Sequence, residues 1–288
     1  MKFLTKILFL SFFLIFISSS FVSADEMLVR RFGNTGCKLG IVGVNIGAYE
    51  TNDKSAFKKA LREGACFINT SPFVEGSEKF IAENLTPAYR EKCLLTTHWK
   101  ADLNSNEEDY VRQFNSSLKN LSVDFIDCVI IDDIREVKYL QKNSIFNAFY
   151  SLRKKGKVKY IGVHVRKNEK DSLSKILKYV IKKADYDFIV FDYNTGSFND
   201  IKPYIDYCGQ LGKGIITLGT LEDSLKNEEL ARRIAGRKKI ALEPAVMRWA
   251  VNSTSWISSI LVPVTDLNLV KSAIEGAVEE EDTNIFGM

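Results

Sequence analysis

Histidine is almost missing from this sequence: its 288 residues hold two, His98 and His164. Any imidazole chemistry rests on those two side chains, and a histidine-rich metal site is excluded. Proline is sparse as well, with 5 residues, and no long linker breaks the chain. Neither sign of charge dominates, with 40 Lys and Arg against 36 Asp and Glu. That near-balance removes any general electrostatic case for nucleic acid. The basic runs "RKKGKVKY" and "RRIAGRKK" read as solvated helix-and-loop faces, with contact to an acidic partner as the alternative. A phosphate-binding glycine loop is absent too. The stretch after the first strand, "VNIGAYETN", is no such motif, which argues against a doubly wound dinucleotide fold. The sequence ends "NIFGM" rather than in a KDEL-type retention signal.

What the first residues do contain is a leader pattern. Lys2 and Lys6 precede the apolar "ILFLSFFLIFI", and small residues follow at Ser20, Val22 and Ala24. A charged start, a short apolar run and a small-residue cleavage site make a signal peptide over residues 1–24. The apolar run is too short to span a bilayer comfortably. The expectation is therefore a secreted, extracellular chain over 25–288, with no membrane association after cleavage. Without the leader, 38 basic residues face 36 acidic ones.

Secretion gives meaning to cysteine and asparagine. Five cysteines, Cys37, Cys66, Cys93, Cys128 and Cys208, are an odd number, so at least one thiol stays free or pairs between chains. Cys66, Cys93 and Cys128 begin or lie in apolar runs, which suits buried thiols; a Cys66–Cys93 bridge is the alternative. Among the sequons, Asn115, Asn120 and Asn252 are the expected glycan sites, the first two on a polar helical stretch.

From residue 26 the pattern is regular. "MLVRRFGNTGCKLG" reads as a β-hairpin turning at Asn34 to Gly36. Eight strand–helix pairs follow, with strands near 41–48, 66–71, 93–98, 126–132, 159–165, 188–193, 214–219 and 258–264. These runs are rich in Val, Ile and Phe and apolar on both faces, as parallel strands covered by helices are. Amphipathic segments such as "DKSAFKKALREGA" and "NEEDYVRQFNSSLKNLS" lie between them. Gly156 and Gly212 fall where a left-handed helix cap is needed. Eight such units in about 260 residues make one (β/α)8 TIM barrel, an α/β fold. Function is then expected at the C-terminal strand ends, where both histidines fall.

Several segments in order, "RRFGNTGCKLG", "FINTSPFVEGSEKFIAENL", "SLKNLSVDFIDCVIID", "LRKKGKVKYIGV" and "AVMRWAVN", resemble the aldo-keto reductases. "NTSPF" and "DFIVFDYNTGSFND" resemble most the galactose-dehydrogenase type. The resemblance implies a barrel behind a leading hairpin. It also implies NADP(H) or NAD(H) bound without a Rossmann domain, and hydride transfer between nicotinamide and a carbonyl or alcohol. The family's proton donor is a tyrosine, aided by a lysine and an aspartate, with a histidine that orients the substrate. At these positions stand Val74, His98, Asn69 and Asp132 respectively. Valine has no proton to give, and removing such an acid lowers rates on the order of 10²–10⁴-fold. The positions that hold the nicotinamide amide carry His164 and Val165, and the stacking position carries Leu218. The phosphate region after the last strand carries Val264 and Thr265, with Asp266 at the helix start.

The resulting expectation is a secreted aldo-keto-reductase-like pseudoenzyme, a binding or interaction protein for a small polar ligand or a protein partner. No cofactor is expected, or NADP if the family function is retained. Two alternatives stay open. One is a divergent NAD(P)-dependent oxidoreductase. The other is a metal- or His-assisted hydrolase or lyase using His98, Asp132 and His164, a residue set that also suits a bound metal, an acid–base pair or a plain polar contact. Asn69 and Asp192 are the expected supporting partners.

Overall fold

The computed structural model describes residues 27–278, apart from 48–50, 167–171, 183–185 and scattered positions between 227 and 239. The expected signal peptide lies outside the described residues. No helix among the described residues is long and apolar enough to cross a membrane.

The chain opens with an antiparallel hairpin, β1 (Val29–Arg31) and β2 (Lys38–Gly40), paired Val29↔Gly40 and Arg31↔Lys38. Strands and helices then alternate: β3 (Val42–Asn45), α1 (Lys54–Arg62), β4 (Phe67–Asn69), α2 (Ser77–Asn84), α3 (Pro87–Arg90), β5 (Leu94–Lys100) and α4 (Glu107–Leu121). Next come β6 (Cys128–Ile134), a 3₁₀ turn (Val137–Leu140), α5 (Asn143–Lys154), β7 (Tyr160–Val165), α6 (Leu173–Lys182) and β8 (Phe188–Asp192). The series ends with α7 (Phe198–Gln210), β9 (Gly214–Leu218), α8 (Glu222–Lys226), α9 (Leu242–Ser253), β10 (Ser259–Pro263) and α10 (Leu267–Gly276). Strands β3 to β10 pair in parallel in chain order, and β10 closes on β3 to complete the barrel.

Local chemistry fixes the helix starts. Asp53 accepts the Ala56 N–H at the head of α1, and Asn106 and Asp109 form a reciprocal capping box on α4. Gly156 and Gly212 take left-handed conformations at φ 68° and 77° where α5 and α7 end.

The floor of the barrel is packed with aromatic rings rather than open. The hairpin inserts Phe32, whose ring lies 5.7 Å from Phe67 and 5.1 Å from Phe188. Gly162 and Gly214 make room for this stack, because a Cβ at either would strike Phe188 or Phe32. Between barrel and helices lies the larger apolar layer, which includes Phe57, Trp99, Phe114, Ile131, Ile161, Phe191 and Trp249, all fully buried. With the floor filled, the open end lies at the C-terminal tips of the strands.

Eight strands match the sequence expectation closely. The difference lies at β5 and β6, which run on to Lys100 and Ile134. Pairing of β6 with β7 resumes past an irregularity, with Ile131↔Val163 followed by Ile134↔Val165. His98 and Asp132 therefore sit within their strands rather than at the tips. All five cysteines are free thiols; burial pushes Cys93 and Cys208 up to about 12.

Candidate functional site

Six consecutive strands, β3 to β8, each contribute polar side chains to one belt across the mouth. Asn69 on β4 donates from Nδ2 to Asn45 Oδ1 on β3 at 2.9 Å. Its Oδ1 then accepts from Thr96 Oγ1 at 2.9 Å and from His98 Nε2 at 2.8 Å, both on β5. Because that oxygen only accepts, the His98 proton is placed on Nε2. The other nitrogen, Nδ1, faces Asp132 Oδ2 on β6 at 3.5 Å, an ion-pair distance too long for a good hydrogen bond. On β7, His164 donates from Nδ1 to Asp132 Oδ1 at 2.9 Å and points Nε2 at Asp192 Oδ1 on β8, 3.0 Å away. Arg166 continues the row, with Nε 2.7 Å from Asp192 Oδ2.

The belt is electrostatically tight. His98 and His164 are 6% and 3% exposed, while Asp132 and Asp192 reach solvent at 31% and 38%. Burial alone would lower the His164 pKa. Hydrogen bonds to Asp132 and Asp192, with their charges, outweigh burial and raise it. Burial likewise pushes Asp132 up, and the hydrogen bond from His164, with His98 close by, overturns that, holding its carboxyl well below the usual range. Asp192 is also lowered, its burial offset by His164 and Arg166. An imidazolium between two carboxylates is the charge state that satisfies all four contacting atoms. Farther along the rim, Glu222 opens α8. Its Oε2 is sealed from solvent with no hydrogen-bond partner, and burial raises its pKa to about 7.

The residues expected from sequence separate into two groups. Asn69, His98, Asp132 and His164 meet in the belt, with Asp192 joined directly to His164. Val74 does not join them. It stands half-buried on the loop between β4 and α2, beside exposed Phe73. Arg166 and Asn45 were not expected. Arg166 follows His164 by two residues, a spacing that repeats a strand face; the signal for Asn45 was no stronger than one polar residue in an apolar run.

This geometry does not gather His98, Asp132 and His164 around a common point. Among the described residues no group of three His, Cys, Asp or Glu is placed to hold a metal ion. The reason lies in the bonding: both nitrogens of His164 point at carboxylates, and His98 Nε2 at Asn69. These donors are committed to one another rather than to a common centre. The plain His98–Asp132 polar pair is also revised, because His164 is the nearer partner of Asp132.

The positions implied for a dinucleotide fit it poorly. His164 has no nitrogen left for an amide, and Val165 is an apolar side chain buried at 3% exposure. Leu218 ends β9 without a ring to stack. Val264 is fully buried and gives its carbonyl to Asp53 N at 2.7 Å; Thr265 is exposed. At the α10 N-terminus Asp266 Oδ1 accepts Leu269 N–H at 2.9 Å. A carboxylate thus occupies the helix end that attracts phosphate. The three expected glycan sites differ as well. Asn115 is exposed, Asn120 donates to Glu78 Oε2 at 2.8 Å, and Asn252 donates to the Arg248 and Val278 carbonyls at 2.8 and 3.0 Å.

Comparison with known proteins agrees with the architecture. The profile described as Aldo/keto reductase family matches residues 39–239. No curated protein sequence matches the chain. Among solved structures, an aldo-keto reductase from Bacillus halodurans in its holo form is similar, with a TM-score of 0.69 and 15% identity over 88% of this chain and 92% of that one. A putative aldo-keto reductase from Pseudomonas aeruginosa gives 0.66 and 18% over 87% and 96%; one from Brucella melitensis gives 0.67 and 17% over 86% and 93%. At these identities the likeness concerns the fold. The family match over most of the sequence places the chain in the aldo/keto reductase family.

Proposed function

We propose that this chain is secreted through its N-terminal segment and works as a binding or interaction protein on an aldo-keto reductase frame, without NADP-dependent reduction. The observation that carries the reading is what stands where the family's phenol belongs. Val74 has no ionisable group, and the polar atoms nearest the mouth are spent on each other. A reductase needs a proton donor poised near neutral pH beside the hydride acceptor; the belt has its proton pinned between Asp132 and Asp192. The ligand class favoured is a small polar molecule able to exchange hydrogen bonds with the belt, or a protein partner covering it.

The test is steady-state reduction of aldehydes and sugar lactones, and oxidation of sugar lactols, with NADPH, NADH and their oxidised forms. The reading expects rates at the uncatalysed background for the native chain, and no gain in Val74→Tyr. Turnover that Val74→Phe leaves intact would point to the divergent oxidoreductase instead. A second reading, acid–base hydrolysis or elimination, is supported by the His98–Asp132–His164 row itself. It requires an activity abolished in His98→Ala while the fold is kept.

A further inference from the structure

The mouth carries one strained segment, and it coincides with the densest charge. Strands β6 and β7 pair regularly up to Ile131↔Val163 and resume at Ile134↔Val165. Asp132 and Asp133 thus lie opposite the single residue His164, which is a β-bulge. Within it Asp133 takes φ 52°. Aspartate tolerates this left-handed conformation better than most residues, but not without strain. The other non-glycine residue with positive φ among those described is Ser122, an ordinary helix end.

Two cations two residues apart, His164 on β7 and Arg166 just past its end, hold this bulge against β8. His164 bridges Asp132 on β6 and Asp192 on β8, at 2.9 and 3.0 Å. Arg166 bridges Asp133 on β6 and Asp192 on β8, at 3.5 and 2.7 Å. Arg135 adds a 2.8 Å contact to Asp133. The titratable and charged groups facing His164 are therefore Asp132 and Asp133 of β6, with Arg135 just beyond that strand. Asp192 of β8, His98 of β5 and Arg166 beside it complete the set. Three carboxylates meet two guanidinium groups and two imidazoles, of which His98 keeps its one proton on Nε2 toward Asn69. The sum is neutral when His164 carries two protons and one negative when it carries one.

We propose that this ladder is a proton-operated latch, which with His164 doubly protonated pins the C-terminal ends of β6, β7 and β8 together and holds the bulge closed across the mouth. A neutral imidazole donates one hydrogen bond. Its second nitrogen then presents a lone pair to a carboxylate about 3 Å away, and either Asp132 or Asp192 must move. Interfaces of this kind are bistable rather than gradually deformable. Release of Asp192 leaves Arg166 to serve it alone, so the β6 bulge loses the bridge that opposes its strain. The direction follows from the raised His164 pKa: the latch is shut below the folded value and loosens as pH rises through it. Its consequence for a ligand rests on the reading of the mouth as a binding site, whereas the latch itself requires no ligand.

The experiment uses the whole chain without additives. Nitrogen-15 NMR of the imidazoles is followed from pH 5 to 10, together with amide exchange of residues 130–134 and 190–192 corrected for intrinsic rates. The latch predicts both His164 nitrogens protonated at pH 5, below the ordinary imidazole value. It also predicts protection of the bulge falling about tenfold or more once the second proton leaves, as it does when the local opening equilibrium constant rises tenfold. In His164→Gln the protection should be low at every pH and no longer pH-dependent. Should that variant not fold, the native imidazole titration and exchange still decide the matter. A single-proton tautomer of His164 at pH 5, or bulge protection unchanged across its titration, overturns the latch. Neither readout depends on a ligand, so a failure of the binding assignment leaves the latch result standing, and the reverse.

Discussion

Glu222 supplies a test of how this mouth is electrically tuned. Its Oε2 is sealed from solvent without a partner, and burial raises the pKa from 4.5 to about 7. A raised carboxyl binds its proton more tightly folded than unfolded. Stability from this group is therefore complete below the unfolded value and lost as pH climbs through the folded one. The shift corresponds to on the order of 3 kcal/mol at 1.36 kcal/mol per unit. The residue is half-buried overall, so solvent screening brings the expected figure to about 2 kcal/mol. Glu222→Gln removes the ionisation and keeps the shape. It should flatten the decline in stability between pH 5 and 8, and at pH 8 raise the midpoint by about 4–8 °C for a chain of this size. Urea unfolding at half-unit pH steps, native against variant, measures the slope directly. If the two curves run parallel through that window, Glu222 is ionised in the folded protein and the burial argument fails.

Two further substitutions probe the frame and the cofactor region. Arg90 Nη1 lies 2.7 Å from Asp127 Oδ2, both largely buried, and Asp127 also accepts Leu95 N–H at 3.0 Å. Asp127→Ala leaves that guanidinium without its carboxylate and should destabilise by about 3–5 kcal/mol, read by urea unfolding; a loss under 1 kcal/mol would mean Arg90 finds water. Asp266→Ala removes the α10 cap and should lower stability by about 1 kcal/mol, while NADPH titration of the variant stays flat. Appearance of dinucleotide binding on that change would show Asp266 to be the sole barrier.

Much of the frame was legible because it rests on local rules. Apolar runs of five or so residues marked the strands, amphipathic segments between them marked helices, and Gly156 and Gly212 marked helix ends. The mouth was legible in membership and not in wiring. His98, Asp132 and His164 fall at matching points of successive units, so their meeting was readable. Which pairs with which depends on the bulge at Asp132 and Asp133, a two-against-one mismatch that no spacing rule announces. That bulge turns Asp132 toward His164 and leaves His98 at 3.5 Å. It also brings Arg166 into play, a residue beyond the end of its strand that reads as solvent-facing. Residue types alone suited a metal; the hydrogen bonds that turn His164 toward two carboxylates and His98 Nε2 toward Asn69 were not legible in them.

The central claim is that this mouth does not hold a nicotinamide dinucleotide. Titration of the purified chain with NADPH and NADH at pH 7, by quenching of tryptophan fluorescence and by calorimetry, tests it most directly. The account predicts no saturable signal up to millimolar cofactor. Saturation in the micromolar range, competed by the oxidised cofactor and lost in His164→Ala, would contradict it.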